Sequence, residues 1–372
     1  MPSQSPSAVA PDLIARLGLS LPIIQAPMAG VSTPALAAAV SNAGGLGSLG
    51  LGATDAAGAR QAIAQTRTLT SRPFGVNVFC HVPATDDPAR QARWLEYLAP
   101  SFAEFGAQPP ASLREIYTSF VADDAMLEAL LAERPAVVSF HFGLPDADRI
   151  AALRQAGICL MASATSPDEA AQIAAAGLDA IIAQGIEAGG HRGIFHPDGH
   201  DEQLGTLALT RLLAARFDLP IVAAGGIMDG AGIAAVLALG AQAAQLGTAF
   251  VSCAESSADA RYREALLAPG PVSTVSTRAI SGRPARGIAN RLTALGTSPD
   301  CPPTPDYPIT YDAGKALHAA AKAQGSADFA AQWAGQAAAL SRGLPAGELM
   351  RQLQGELAAT VNRLAAYATP RG

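Results

Sequence analysis

From residue 21 onward the chain repeats one pattern: a short apolar run, a turn, then an alanine-rich helical stretch. The apolar runs predict strands at Ile23–Ala26, Leu46–Leu49, Gly75–Phe79, Val137–Phe142, Cys159–Ala164, Ala180–Gln184, Ile221–Ala224 and Ala244–Phe250. Helix signals follow most of them. Pro34–Ala43 has Ser32 or Thr33 as its cap and a proline at an early position. Ser166-Pro167-Asp168-Glu169 combines a cap, a proline and first-turn acids. Asp229–Leu239 stops at Gly240. Strands alternating with helices predict a parallel sheet, and eight such units predict a closed α/β barrel of the TIM (β/α)8 type.

Uneven unit lengths locate the additions. The stretch from Phe79 to Val137 carries Trp94, Tyr97, Phe102, Phe105 and Tyr117 and reads as a helical insertion. After the last strand, Pro271–Tyr311 is rich in Gly and Pro and reads as irregular, and Ala313–Tyr367 returns to a helical pattern. The barrel is expected over residues 12–79 and 111–255. A smaller, discontinuous, mostly helical cap is expected over 80–110 and 256–372.

Composition narrows the class. With 49% hydrophobic residues in 372, the chain can bury a sizeable core, which excludes disorder and coiled coil. The balance of 25 basic against 31 acidic residues, with no basic run, gives nucleic-acid binding no electrostatic footing. Cys80, Cys159, Cys253 and Cys301 are far apart and form no CxxC, so a disulfide framework or structural zinc is not expected and a reducing cytoplasm is. The first sixteen residues lack an early positive charge and an apolar run, so no secretory leader is expected. Leu17–Thr54 and Gly230–Ala254 contain no charge, but Gly, Pro, Asn or Gln interrupts both. Neither supplies about 20 unbroken apolar residues, so both read as buried barrel elements rather than membrane spans.

Chemistry in such a barrel sits at the C-terminal strand ends. The first strand ends in Ala26-Pro27-Met28, where small residues and fixed proline geometry let backbone approach a flat ligand, or simply make a turn. Gly45-Leu46-Gly47-Ser48-Leu49-Gly50 matches GxGxxG but lies inside a strand and has no acid between Asp55 and Asp86, so it is not a dinucleotide fingerprint. Asn77 can offer a donor and an acceptor to a heterocycle edge, or serve a turn. His141 ends the fourth strand, as a core residue or a site residue. Gln184–Gly193 is the most informative stretch. Four glycines in nine residues expose backbone N–H groups, and His191 stands where a proton-handling group is expected. His196, Asp198, His200 and Asp201 raise a metal reading, but Pro197 and Gly199 break the helix that would align them, and no metal is expected. Gly225-Gly226 and Gln245-Leu246-Gly247-Thr248 end the seventh and eighth strands, the paired location where barrels bind phosphate. Tyr307, Tyr311 and Lys315 have the spacing of one helical face, although Pro308 marks an irregular start. Trp333-Ala334-Gly335-Gln336 reads as core of a C-terminal helix.

Taken together, Ile24–Gly30, Gly75-Val76-Asn77, the Gln184–Gly193 loop, Ala224–Ile227 and Gln245–Phe250 resemble the nitronate monooxygenases, also called 2-nitropropane dioxygenases. The resemblance runs from about Leu13 to Leu353. Val138–Pro145, Ser281–Gly287 and Trp333–Gln336 resemble the bacterial class I branch. This implies a TIM barrel with non-covalent FMN that uses O2 to convert an alkyl nitronate, such as propionate 3-nitronate, to a carbonyl compound and nitrite, a detoxifying reaction. Asn77, Gln184, Gly189, Gly226 and Gln245–Thr248 match family FMN positions, and Ala26, Pro27, Met28, Gly190 and Gly225 join the expected cofactor contacts. His191 matches the active-site histidine, and His141, Tyr307, Tyr311 and Lys315 match other pocket residues. His191 or Lys315 would hold the nitronate anion over the flavin, and His191 could act as a base toward neutral nitroalkanes. The expected partners are small molecules only, in a monomer or homodimer. The competing expectation on the same barrel is an FMN-dependent NAD(P)H:quinone reductase or enoyl-ACP reductase. A barrel using a cysteine nucleophile after the sixth strand is disfavoured, because Gly185–Gly193 contains no Cys.

Overall fold

The computed structural model describes residues 12–368; the segment 1–11, which bears on the leader expectation, lies outside them. A short helix α1 (Leu13–Arg16) precedes β1 (Ile23–Gln25), α2 (Pro34–Asn42), β2 (Gly47–Gly50), α3 (Ala56–Leu69) and β3 (Phe74–Phe79). Helices α4 (Pro88–Glu104) and α5 (Asp124–Glu133) fill the long interval before β4 (Val137–His141). Next come α6 (Ala147–Gln155), β5 (Cys159–Ala164), α7 (Pro167–Ala175), β6 (Ala180–Gln184) and the two-residue β7 (Gly190–His191). The barrel repeat resumes with α8 (Thr206–Arg216), β8 (Ile221–Ala224), α9 (Gly230–Ala238) and β9 (Ala243–Leu246). The chain then forms α10 (Thr248–Val251), α11 (Ala260–Leu267), β10 (Thr274–Thr277), β11 (Ala285–Ile288), α12 (Arg291–Leu295), α13 (Ile309–Ala323) and α14 (Ala346–Ala368).

Local chemistry sets the helix starts. Thr33, Asp55, Ser166 and Asp229 each accept a hydrogen bond from a backbone N–H three residues on. Each such cap contributes about 1 kcal/mol. Eight parallel strands run in the order β1-β9-β8-β6-β5-β4-β3-β2. The ends join where Ile24 bridges Leu46: Gln25 N–H donates to Leu46 O at 2.9 Å and Leu46 N–H to Ile23 O at 3.0 Å. The sheet is therefore a closed barrel of the TIM type, without free edges.

The two-residue side-chain period then divides the interior into layers. Ile24, Leu46, Val137, Met161, Ile182 and Val222 fill the lower barrel, and Leu13 and Leu17 plug its base. One step up, the same inward register presents Ser48, Asn77, Ser139, Ser163 and Gln184, all buried. The polar layer therefore marks the functional end of the barrel.

The structure departs from the expected elements at several places. The eighth strand ends at Leu246, and Thr248–Val251 is helix rather than strand. The apolar run continues through the turn, so composition gave no boundary there. The segment 271–311 is not irregular throughout: β10 pairs antiparallel with β11, and β11 pairs antiparallel with β7. Those strands are only two to four residues long, and long-range register rather than local propensity holds them. The tail is not one helical pattern either. Residues 324–345 lack an α-helix, and Trp333 bridges Gly287 instead of lying in a helix.

The C-terminal helix also differs from a cap element. α14 packs on α9 and α2 and so takes the eighth place in the outer ring. Leu349, Met350 and Leu353 share a core with Leu36, Val40, Ile233 and Val236. The cap core lies elsewhere, where Trp94, Leu98 and Phe102 of α4 meet Leu317 of α13 and Phe329. Among the described residues no helix is long and apolar enough to cross a membrane.

Candidate active site

The C-terminal strand ends and the cap enclose a cavity of about 680 Å³. That volume suits a small-molecule or cofactor site. Its walls include Ala26, Pro27, Met28, Asn77, His141, Gln184, Gly189, Gly190, His191, Gly225, Gly226, Gln245, Gly247 and Thr248 from the barrel, and Tyr307, Tyr311 and Lys315 from the cap. Leu246 is the one residue expected at the site whose side chain is not there. It packs with Ile233, Val236 and Leu349 between barrel and helices, and its carbonyl accepts the Ala26 N–H at 2.8 Å.

The Gln184–Gly193 loop is held rather than free. Gln184 Nε2 donates to His191 O at 3.0 Å, and its Oε1 accepts the Gly193 N–H at 2.7 Å. Glu187 accepts the Thr206 N–H and hydroxyl at 2.8 and 2.9 Å. It thereby supplies the start of α8, where Gly205 has no side chain to cap with. Arg192 forms a two-toothed pair with Asp201, both contacts at 2.9 Å, and donates to Gln184 O at 2.6 Å. The β7–β11 pairing sets Ala285 opposite His191 and Arg286 opposite Gly190. His191 therefore stands on a strand shared between barrel loop and cap.

Aromatic rings surround it. Phe142, Tyr307 and Trp333 have ring centres 5.5, 5.4 and 5.0 Å from the His191 ring. Phe142 has φ +74°, a left-handed conformation that costs a bulky residue about 1–3 kcal/mol. The Arg283 guanidinium sits 4.3 Å over the Phe142 ring and donates to Ile194 O. Among the described ion pairs Arg283 has no carboxylate. Burial lowers its pKa only to about 10, so it is a buried positive charge at neutral pH.

That charge and burial together keep the nearby histidines neutral. Burial first, then His141, Arg283 and His81, lowers the His191 pKa to about 3. His141 and His81 are each lowered to about 4, again chiefly by burial. His141 Nε2 lies 3.2 Å from the His191 carbonyl, to which it donates, and its Nδ1 accepts from Ser163 Oγ at 2.9 Å. Because each folded pKa lies below the free value of about 6.5, the fold favours the neutral ring. The stability this adds is present above about pH 6.5 and is lost as pH falls toward 4. The melting temperature should be level from pH 8 to 7 and fall steeply below 6.5, and His81→Leu should blunt the fall. A melting temperature unchanged between pH 7 and 4.5 would contradict this.

The other residues divide by what they still offer. Asn77 Nδ2 donates to both Ser139 O and Oγ at 3.0 Å, which leaves Oδ1 as an acceptor at the cavity. Lys315 Nζ lies 4.9 Å from the Tyr117 ring centre and 5.2 Å from that of Tyr311. Tyr307 precedes α13 rather than sharing its face, and its buried hydroxyl has no partner in the protein. Burial holds its pKa well above the usual phenol value, so it stays protonated. Gly225 and Gly226 adopt φ +122° and +68°, conformations that favour glycine, and turn bare backbone to the cavity. Asp198 and Asp201 are taken by Arg278 and Arg192. Among the described residues no three or more His, Cys, Asp or Glu side chains gather as a metal site.

Sequence reasoning gave no role to four participants. Gln25 accepts the Ser48 N–H at 2.9 Å and donates to Ala26 O, fixing the first strand's turn. Ser281 contacts His191, Arg283 supplies the charge, and Trp333 walls the cavity. Their only advance signal was membership of the Ile24–Gly30, Ser281–Gly287 and Trp333–Gln336 motifs.

The family model for nitronate monooxygenase matches residues 11–356. A nitronate monooxygenase from Paraburkholderia phytofirmans is 64% identical over 356 residues, 96% of this chain and 97% of that one. Another, from Pseudomonas aeruginosa, is 60% identical over 92% of this chain and 97% of its own. Among solved structures, the nitroalkane oxidase from Streptomyces ansochromogenes has a TM-score of 0.85 and 44% identity, covering 93% of this chain and 98% of that chain. With a family match along nearly its whole length and a histidine-bearing cavity at the mouth of a closed barrel, this chain belongs to the nitronate monooxygenase family of oxidoreductases.

Proposed function

We propose that this protein is an FMN-dependent nitronate monooxygenase, which uses O2 to convert alkyl nitronates such as propionate 3-nitronate to a carbonyl compound and nitrite. The observation that carries this reading is one cavity in which glycine backbone at the ends of β8 and β9 shares walls with neutral His191 and the ammonium of Lys315. The residues fit FMN in kind. Gly225, Gly226, Gly247 and Thr248 offer backbone for a phosphate, and Asn77 and Gln245 offer polar groups for a ring edge. Bound there, FMN supplies the electron chemistry. The protein's own task is to bind the anion, orient it and exclude water.

Lys315 is the group suited to hold the anion. Burial lowers its pKa and Asp312 opposes that fall, and the faces of Tyr117 and Tyr311 favour the cation. His191 is neutral and therefore adds no positive charge. Lys315→Met is expected to raise KM for a nitronate, with kcat/KM falling about 10- to 150-fold, the value of a hydrogen bond to a charged group. An unchanged KM would remove Lys315 from anion binding.

The deciding experiment is nitrite release and O2 consumption by the purified protein supplied with propionate 3-nitronate, together with its visible spectrum. Flavin bands and stoichiometric nitrite support the reading. A protein that cannot bind FMN would overturn it. Rapid bleaching of the flavin by NADH without nitrite release would instead favour the reductase alternative. All four cysteines are free thiols, which suits the proposed cytoplasmic location.

A further inference from the structure

Ser281 is fully buried in the cap, and its Oγ lies 2.9 Å from His191 Nε2. The same hydroxyl has two other contacts. It donates to Arg283 O at 3.3 Å and accepts from the Arg283 N–H at 3.4 Å. A hydroxyl has one hydrogen and two lone pairs. If His191 carries its proton on Nε2, that N–H and the Arg283 N–H fill the lone pairs, and the hydroxyl hydrogen goes to Arg283 O. All three contacts are then satisfied together. If the proton were on Nδ1, the hydroxyl would turn its hydrogen to Nε2, and the buried Arg283 carbonyl would lose this donor. Leaving such a group unpaired costs about 1–3 kcal/mol.

We propose that Ser281 is a positioning residue that fixes His191 as the Nε2–H tautomer, leaving a bare Nδ1 for the cavity. The consequence is chemical polarity. On the cavity side His191 is a proton and hydrogen-bond acceptor, not a donor. It therefore cannot hold a nitronate oxygen by donation, and that duty passes to Lys315. It can take a proton from a ligand that carries one. The inference rests on the reading of His191 as the residue that faces the ligand. It adds a member of the Ser281–Gly287 segment to the working site.

Nitrogen-15 NMR of the flavin-loaded protein labelled at histidine reads the tautomer directly. His191→Asn identifies the signal to follow. The expected wild-type pattern is a protonated Nε2 and a bare Nδ1. Ser281→Ala should convert it to a mixture or to the Nδ1–H form. In the same variant kcat for a neutral nitroalkane should fall about 10- to 100-fold, the size of loss seen when the partner that orients a metal-bound imidazole is removed. KM and flavin content should stay close to wild type. Ser281→Cys keeps the volume but offers a weak acceptor, and should fall between the two. A wild-type protein with protonated Nδ1, or a Ser281→Ala protein that keeps the Nε2–H form, would overturn the proposal. Should the alanine variant not fold, the wild-type and cysteine spectra still decide. A protein with the expected tautomer but no nitrite release would overturn the proposed function and leave the role of Ser281 standing.

Discussion

Replacing His191 with asparagine should lower kcat for a neutral nitroalkane by about 10²–10⁴-fold, the usual range for losing a general base. For a nitronate that is already ionised the loss should be smaller. Nδ1 explains the difference. A neutral nitroalkane must give up a carbon-bound proton before it becomes the anion, and in the tautomer proposed above His191 would have a bare nitrogen to take it. Its resting pKa of about 3 belongs to a site without the anion. A nitronate formed beside the ring favours the protonated imidazole, so the effective basicity rises as the proton moves. The pre-ionised substrate skips this step. The comparison should be made with flavin content measured on both proteins. The substitution itself leaves in place the main-chain carbonyl of residue 191, which Gln184 and His141 hold. Equal losses for the two substrate forms would remove His191 as a base.

Gly189→Val should lower stability and drive the loop away from the cap. A Cβ at Gly189 would lie 2.5 Å from Gly335 N, 2.6 Å from Ala334 C and 2.9 Å from Ala334 Cα. All three atoms are backbone and cannot rotate away. The segment they belong to is fastened twice more, by Gly335 N–H to Thr248 Oγ1 at 3.0 Å and by Gln336 N–H to Glu187 O at 3.0 Å. Relief must therefore push the loop from the cap or pull the segment off Thr248. Overpacking of this kind costs about 1–3 kcal/mol or more. The expected result is a lowered melting temperature and loss of flavin on gel filtration. Gly355→Ala is the control, since a Cβ there meets nothing within 4 Å. A Gly189→Val protein that keeps its flavin and its melting temperature would contradict the packing described here.

The barrel was readable because its elements obey local rules. Caps such as Ser166 and Asp229, and short apolar runs, each carry their own signal within a few residues. Boundaries were lost where two elements have the same composition, as at Leu246 and Thr248. The cap was harder for a different reason. β11 exists because it meets β7 across nearly a hundred positions of chain, and no window of sequence contains both. α14 was read as cap for the same reason. Its partners α2 and α9 are specified by shape, not by adjacency. At the site, His191, Asn77 and Lys315 stand out by residue type and place, and all three line the cavity. Ser281 and Arg283 gave no such signal, because a serine and an arginine in a Gly/Pro-rich stretch suggest surface until burial is known. Both are at most 4% exposed.

The strand that carries His191 bears on how molecules reach it. Opening the cap like a hinged cover would separate β11 from β7 and draw Ser281 away from the His191 ring. Moving the cap as one body therefore means breaking a strand pairing at the site itself. Elsewhere the wall is held more lightly: between α11 and α13, Asp259 and Lys322 border the cavity and meet at 3.1 Å. That pair is half exposed, so parting it costs little compared with unpairing a strand. The Asp259–Lys322 contact is thus the weak seam of the cavity wall, and the strand pairing at His191 the strong one.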